Sequence, residues 1–474
     1  MIEFLEKHKI KILVLVHIWA AWFSTGFHHF DEHFQIFEFM NYKLGGISAS
    51  ELPWEFREQM RPWFQVLIYY VIQFPFKVLG ASPFFIAFVL RLITGLFGVY
   101  AFLQFSKLFD QWIQNEKIKK LAFWTFNLAW FVPYIHVRAN SESLGLSLFL
   151  LGARCFLGSR KNGLIAGLFF GLSYLARSQM AIAVAPLWLW SVIFEKNERK
   201  KQILSSLAII VMIGLGILID SWGYGEVTFS TYHYFRANFL EGALNHFGIT
   251  PWYEYFRVII SRGFAPVSLP LTLFTLAGWW HFKKHPLTWI TFPFFLFHSY
   301  LGHKELRFIF PILPLCILYF PMIVEKFEKY FEKKSFKVTF KILAVMNLIV
   351  LAISISKPAT NAMPFYEFMY DQKQIKELWA KDEDPYKMVG LNIRYFRPST
   401  LEKITEIKSL DEIPVSVVAS DRFIFVKTGE DYFQLKSQSN CDLLFSSYPE
   451  WILNFNIGNW IKRSRIWSLF NCQL

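Results

Sequence analysis

Long apolar stretches, separated by short polar or basic breaks, run through the first three quarters of the chain. Stretches near the length that crosses a hydrocarbon core fall at 11–27, 84–105, 119–135, 143–158, 162–176 and 179–195. They continue at 203–220, 266–282, 286–301, 307–324 and 338–356. Each predicts a membrane helix, so the expectation is an all-α polytopic membrane protein with about 11 transmembrane helices. The stretch 64–80 is aromatic but broken by Gln73, Pro75 and Lys77. That composition fits a span, a re-entrant segment or an interfacial helix. Beyond Lys357 the hydropathy falls. Val389–Ile393 and Val415–Val426 are rich in β-branched and aromatic residues and read as strands, and Asp371–Lys381 reads as a polar helix. The pattern thus divides the chain into a membrane domain over 1–356, with a long first extracytoplasmic loop at 28–83, and a small soluble α/β domain over 357–474.

Charge sets the orientation. Basic residues concentrate in the N-terminus and in breaks 106–118, 154–161, 194–202, 283–284 and 325–337. These fall on one side only if 64–80 does not span, which puts the N-terminus in the cytoplasm and the C-terminus outside. The net charge of +13 therefore belongs to cytoplasmic loops beside anionic lipid, and a nucleic-acid partner is not expected. The first apolar stretch follows Lys7, Lys9 and Lys11 without a small-residue cleavage pattern, and reads as a retained helix. With 54% hydrophobic residues and 54 Phe, the natural solvent of this chain is a bilayer. Of four cysteines, Cys155 and Cys316 lie in apolar runs as small hydrophobes. Cys441 and Cys472 can pair if the tail occupies an oxidising compartment.

This orientation gathers five polar clusters on the outer face, where charged groups beside apolar helices are functional candidates by default. His28, His29, Asp31, Glu32 and His33 leave the first helix and open a loop that holds Trp54, Glu55, Arg57 and Arg61. The paired carboxylates suit a general base near the lipid surface; the bland alternative is a helix cap with interfacial histidines. The tight histidine spacing matches no structural zinc pattern, so no metal is expected. Arg138, Asn140, Ser141 and Glu142 form a polar break that could be a plain cap, although a cap needs no arginine. Arg177, with Ser178 and Gln179, sits between two apolar helices and could simply snorkel. Asp220, Tyr224, Tyr232, His233, Tyr234, Asn238, His246, Trp252 and Tyr253 interleave aromatic rings with hydrogen-bonding groups. That suits a sugar, whose ring faces stack while its hydroxyls are bonded, but also an interfacial aromatic belt. His303, Lys304, Glu305 and Arg307 concentrate ionisable groups between apolar runs, as an anion such as phosphate would require; a solvated hairpin is the alternative. No Walker or Rossmann glycine pattern is present, and no cofactor is expected.

An outer carboxylate beside cationic groups defines a mechanism. A base deprotonates an acceptor hydroxyl, the oxygen attacks an anomeric carbon, and a lipid phosphate leaves while Arg and Lys stabilise its charge. The motif His28-His29-Phe30-Asp31-Glu32-His33-Phe34-Gln35, followed by Trp54-Glu55-Phe56-Arg57, resembles the first luminal loop of glycosyltransferase family 22. His303-Lys304-Glu305-Leu306-Arg307-Phe308 resembles that family's His-Lys-Glu-x-Arg-Phe motif, and Arg138 with Asn140-Ser141 its mid-membrane arginine and Asn-Ser pair. Phe30 stands where the family usually has proline. The family comprises GT-C mannosyltransferases that use dolichyl-phosphate mannose in GPI-anchor and N-glycan assembly. The resemblance implies an inverting mannosyltransferase of GT-C fold, taking a polyprenyl- or dolichyl-phosphate sugar and a glycolipid or lipid-linked glycan acceptor. Asp31 or Glu32 would be its base, Asp31 the favoured one. His29, His33, Trp54, Arg57, Arg138, Asn140, Arg177, Tyr232, His233, His303, Lys304 and Arg307 would contact substrate. The site would face outward from a bacterial cytoplasmic membrane or the endoplasmic reticulum. The alternatives are a GT-C transferase for another sugar, and a lipid-linked-sugar transporter, which would usually show internal repeats.

Overall fold

The computed structural model describes residues 2–159, 161–243, 248–409, 412, 422–438 and 440–472. They form two compact units. The first comprises residues 1–24, 54–75 and 88–357; the second comprises 25–53, 76–87 and 358–474.

The first unit is helical. Among the described residues, three helices are long and apolar enough to cross a membrane: Pro83–Trp112, Arg199–Tyr224 and Lys334–Ile355. Other apolar stretches form shorter or broken helices for identifiable reasons. The 119–135 stretch divides into Glu116–Leu128 and Val132–His136, the second opening on Pro133, whose missing N–H is harmless in a first turn. The 307–324 stretch divides into Leu306–Ile309, Leu313–Ile317 and Tyr319–Lys326, interrupted at 310–312, around Pro311, and again at Leu318. The ambiguous 64–80 stretch contains one helix, Phe64–Val78, with Pro75 inside it. Phe102, Phe105, Phe126, Phe149, Leu187, Ile290 and Leu315 fill the centre of the unit and are fully buried. Helix Gly163–Ala176 packs closely on Arg199–Tyr224 because Gly167 lacks a side chain, and a Cβ there would collide with the Ser205 backbone.

The final carbonyls of helix Ile2–Phe23 have no intrahelical donors, so they need partners from elsewhere. Buried arginines supply them. Arg91 donates from Nε to the Ala21 carbonyl at 3.0 Å, and Arg138 from Nη2 to the Ser24 carbonyl at 2.6 Å.

The second unit is built on a five-stranded mixed sheet. Among the described residues its seven strands, in chain order, are β1 (Glu377–Lys381), β2 (Lys387–Met388), β3 (Leu391–Asn392), β4 (Lys403–Ile407), β5 (Arg422–Thr428), β6 (Cys441–Ser446) and β7 (Arg465–Cys472). The sheet order is β4-β1-β5-β7-β6, while β2 and β3 form a separate antiparallel pair. β1 runs parallel to β4 and β5, and β7 antiparallel to β5 and β6. Alternation along β5 sends Ile424 and Val426 to one face, against Tyr432, Leu435, Ile466 and Phe470. Phe425 and Trp467 point to the other and meet Phe365 of helix Ala362–Asp371 at 4.8 and 5.5 Å between ring centroids. Both faces are therefore covered.

Three tail expectations change. The predicted polar helix at 371–381 is instead the end of Ala362–Asp371 followed by β1, because Leu378 and Ala380 alternate into the sheet core. Of the predicted strand at 389–393 only Leu391–Asn392 pairs; Val389 and Gly390 have positive φ of 47° and 81° and make the hairpin turn. The predicted strand at 415–426 is observed from Arg422, while 415–421 lie outside the described residues. Cys441 and Cys472 face each other across β6 and β7 and form a disulfide.

The segment 25–53 belongs to this second unit. Ala359 N donates to the Thr25 carbonyl at 2.7 Å. Gly26 has φ +86°, and a Cβ there would strike Thr360, so only glycine allows the close crossing.

Candidate active site

In the second unit, chain 28–43 is a continuous run of short helical turns: Phe30–Glu32, a π-helical turn His33–Phe37, then Glu38–Lys43. Turns of π type are rare and occur often at functional sites. His29 is the N-cap. Its Nδ1 accepts the Asp31 N–H at 3.3 Å and lies 3.5 Å from Asp31 Oδ1, a contact that becomes an ion pair when the ring is protonated. Glu32 folds back so that Oε2 accepts the His28 N–H at 3.2 Å. Asp31 and Glu32 are both buried.

His33 points inward rather than toward an open surface. It is fully buried, its Nε2 is 2.8 Å from Glu38 Oε1, and its ring stacks on Phe396 at 5.5 Å. Glu38 also accepts the Arg394 N–H at 2.7 Å, the Tyr395 N–H at 2.9 Å and the Asn41 amide at 3.1 Å. Burial alone raises the pKa of such a carboxyl. Here the hydrogen bonds and charge of His33, with the Tyr395 N–H and the Asn41 amide, prevail and hold it below its ordinary value. Arg394 fixes the same loop a second time, with Nη2 2.6 Å from Glu51 Oε1. The helix that carries Asp31 is thus tied to the tail residues 394–396.

In the first unit, Arg177 is the junction. Its Nη1 donates to Glu142 Oε1 at 2.8 Å and to Ser141 Oγ at 3.1 Å, and its guanidinium lies 5.8 Å from the Phe308 ring centre. Two of the predicted clusters and the residue after Arg307 therefore meet at one buried cation. Gln179 extends the junction, donating from Nε2 to Tyr234 Oη at 2.9 Å, and the Tyr234 ring is 5.9 Å from the Arg61 guanidinium. Arg61 pairs with Glu55 at 3.3 Å. Asp220 secures the 54–63 segment by accepting the Trp63 N–H at 2.9 Å and the Ser230 hydroxyl at 2.5 Å. Exposed Trp54, Arg57 and Tyr232, with half-buried His233, belong to the segments so joined.

The 303–307 segment is organised internally. His303 Nε2 lies 3.0 Å from Glu305 Oε1, and Arg307 Nε donates to Glu305 Oε2 at 2.5 Å. Lys304 Nζ donates to the carbonyls of Thr250, at 3.0 Å, Leu301 and Gly302, and burial lowers its pKa. Lys304 therefore shapes the turn that presents Arg307. Arg138 is fully buried on Ser24 and 4.5 Å from the Tyr134 ring centre, and Asn140 caps helix Ser141–Leu157 by accepting the Ser143 N–H at 2.8 Å. His246 lies outside the described residues.

The junction residues Arg61, Glu142, Gln179 and Tyr234 were visible in sequence only as members of separate clusters. Nothing in sequence marks Glu38, whose partners Arg394 and Tyr395 are more than 350 positions away.

A crystal structure of ArnT from Cupriavidus metallidurans bound to undecaprenyl phosphate superposes with a TM-score of 0.51 at 10% identity, covering 97% of each chain. The chain therefore shares the fold of that structure. Among curated proteins, GPI mannosyltransferase 3 of Candida albicans is 27% identical over 299 residues, 61% of this chain and 58% of that protein. Human GPI alpha-1,2-mannosyltransferase 3 is 26% identical over 298 residues, 61% of this chain and 52% of that protein. The chain matches a little more than half the length of these relatives. The profile of the Alg9-like mannosyltransferase family matches residues 9–400, which include the acidic turn, the arginine junction and the Glu38 tie, and this multi-helix membrane protein belongs to that family.

Proposed function

We propose that the protein is an inverting mannosyltransferase that moves mannose from a polyprenyl-phosphate donor to a glycolipid or lipid-linked glycan acceptor. The observation that carries this reading is the Arg177 junction, where residues 141–142, 177–179, 234 and 308 converge. Arg177 and Arg307 supply the charge that stabilises a departing lipid phosphate. Asp31 is the general base, oriented by His29, while Glu32 closes the turn on His28. Attack with inversion on a β-linked donor gives an α-mannoside, in keeping with relatives named alpha-1,2-mannosyltransferases.

The reading places about eleven spans in the membrane, the N-terminus in the cytoplasm, and the site and tail outside. The Cys441–Cys472 disulfide supports that side, since such bonds persist in oxidising compartments. The step requires no metal and no cofactor. Membranes containing the protein, given labelled polyprenyl-phosphate mannose and a panel of GPI-type and lipid-linked glycan acceptors, should transfer label. Absence of transfer to any acceptor would overturn the mannose assignment. EDTA should leave the rate unchanged, and loss of activity restored by Mg2+ or Mn2+ would contradict the metal-free step.

Arg307→Ala should raise the KM for the labelled donor about tenfold, the equivalent of one charge-assisted hydrogen bond to phosphate. The KM for the acceptor should stay close to the parent value. An equal rise in both would remove Arg307 from the phosphate site.

A further inference from the structure

A loop in the second unit presents large apolar side chains outward in a fixed conformation. Trp451, Phe455 and Ile457 are 65%, 62% and 81% exposed. Their neighbours Leu453 and Ile461 point inward and are buried. The loop is braced rather than slack: Trp460 Nε1 donates to the Phe455 carbonyl at 2.8 Å and Arg463 Nη2 to the Gly458 carbonyl at 2.8 Å. The Ile461 N–H bonds Asn456 Oδ1 at 3.3 Å. Gly458 and Asn459 take positive φ of 67° and 54° to turn the tip beside Ile457. Hydrogen bonds have thus been arranged to hold exposed hydrophobes in place.

The charges around the loop identify what covers it. Lys462 and Arg465 follow it in the chain and are exposed, as is Arg463, whose guanidinium braces the tip. The loop's own carboxylate, Glu450, is paired with Lys436 at 3.1 Å. An apolar tip bearing tryptophan and phenylalanine above a basic base is the composition of an element seated at a bilayer surface, with rings among the acyl chains and cations on anionic headgroups.

We infer that residues 449–465 form a membrane-surface anchor that inserts Trp451, Phe455 and Ile457 into a leaflet containing anionic lipid. This inference is independent of the transferase reading, because it concerns lipid contact and not chemistry. In a Cys155→Ser background, with Cys316 buried and Cys441 and Cys472 bonded, a maleimide fluorophore on Ile457→Cys reports from residue 457. The full-length protein is reconstituted in nanodiscs of phosphatidylcholine and phosphatidylglycerol carrying headgroup-proximal doxyl lipid. The label at 457 should be quenched several-fold more than the same label on exposed Gln374→Cys of the same unit. Lys462→Gln with Arg465→Gln, which leaves the Arg463 brace intact, should reduce that quenching, as should replacing phosphatidylglycerol by phosphatidylcholine. Equal quenching at 457 and 374 would overturn the anchor. So would protection of 457 that depends on protein concentration and not on lipid, which would mark a contact between copies of the chain.

Discussion

Asp31→Asn is expected to lower the rate of mannosyl transfer by about 10²- to 10⁴-fold, the range supplied by a positioned general base. The amide is nearly isosteric and still occupies the second position of the turn that His29 caps. It cannot take a proton from an attacking hydroxyl. The loss should therefore appear in kcat, with the KM for donor and acceptor little changed. Circular dichroism and the elution volume in detergent should match the parent. Substitutions at Glu32 separate the two carboxylates: Glu32→Gln removes the carboxylate at constant length. Glu32→Asn shortens the side chain that caps the His28 N–H, so its cost should fall partly on stability, through one lost capping bond of about 1 kcal/mol. If Asp31→Asn turns over normally and Glu32→Gln does not, the base is Glu32 and the acidic turn keeps its role with its two members exchanged.

What could be read from sequence, and what could not, follows from the range of each interaction. Apolar stretches reveal themselves because burial in lipid demands a long run of similar residues, and helices such as Arg199–Tyr224 and Lys334–Ile355 were legible in this way. The polar breaks were equally legible, since Arg177 or Glu142 beside such helices needs a partner. Their pairing with each other was not, because nothing local links position 142 to 177 or 179 to 234. In the tail the signal was weakest. Residues 371–381 carry polar side chains at spacings that suit a helix, yet β1 is pinned between β4 and β5, and sheet pairing prevailed over local preference. Arg138 shows the other limit: an arginine at the right depth was visible, but its placement on Ser24, as a support for the end of the first helix, depends on tertiary contact.

The second large effect is expected at Glu38, a residue that touches no proposed substrate group. Its carboxylate is buried and receives His33, Asn41 and two consecutive backbone N–H groups, those of Arg394 and Tyr395. Glu38→Ala leaves these donors without their acceptor in a dry interior, and removing one member of such a buried charged network costs about 3–5 kcal/mol. The cost should be local. Amide hydrogen exchange in 28–43 and 391–396 should accelerate by about 10²- to 10³-fold, while amides of helix Arg199–Tyr224 keep their protection. Glu38→Gln, which retains one acceptor oxygen, should lose less. The pH dependence has a definite sign. The folded-state pKa lies below the ordinary value of 4.5, so the carboxylate's contribution is complete above that value. It weakens as the pH falls through 4.5 and is gone once the pH drops beneath the folded-state pKa. Exchange in 28–43 should therefore show an acid-dependent opening in the parent that Glu38→Ala abolishes, after correction for the intrinsic pH dependence of exchange. Uniform exchange rates across parent and variant would mean that the tail loop docks without this carboxylate. Because Glu38 lies seven positions after Asp31 on the same run of turns, loosening it should also lower kcat for mannosyl transfer, and the tail would then be a working support of the acidic turn.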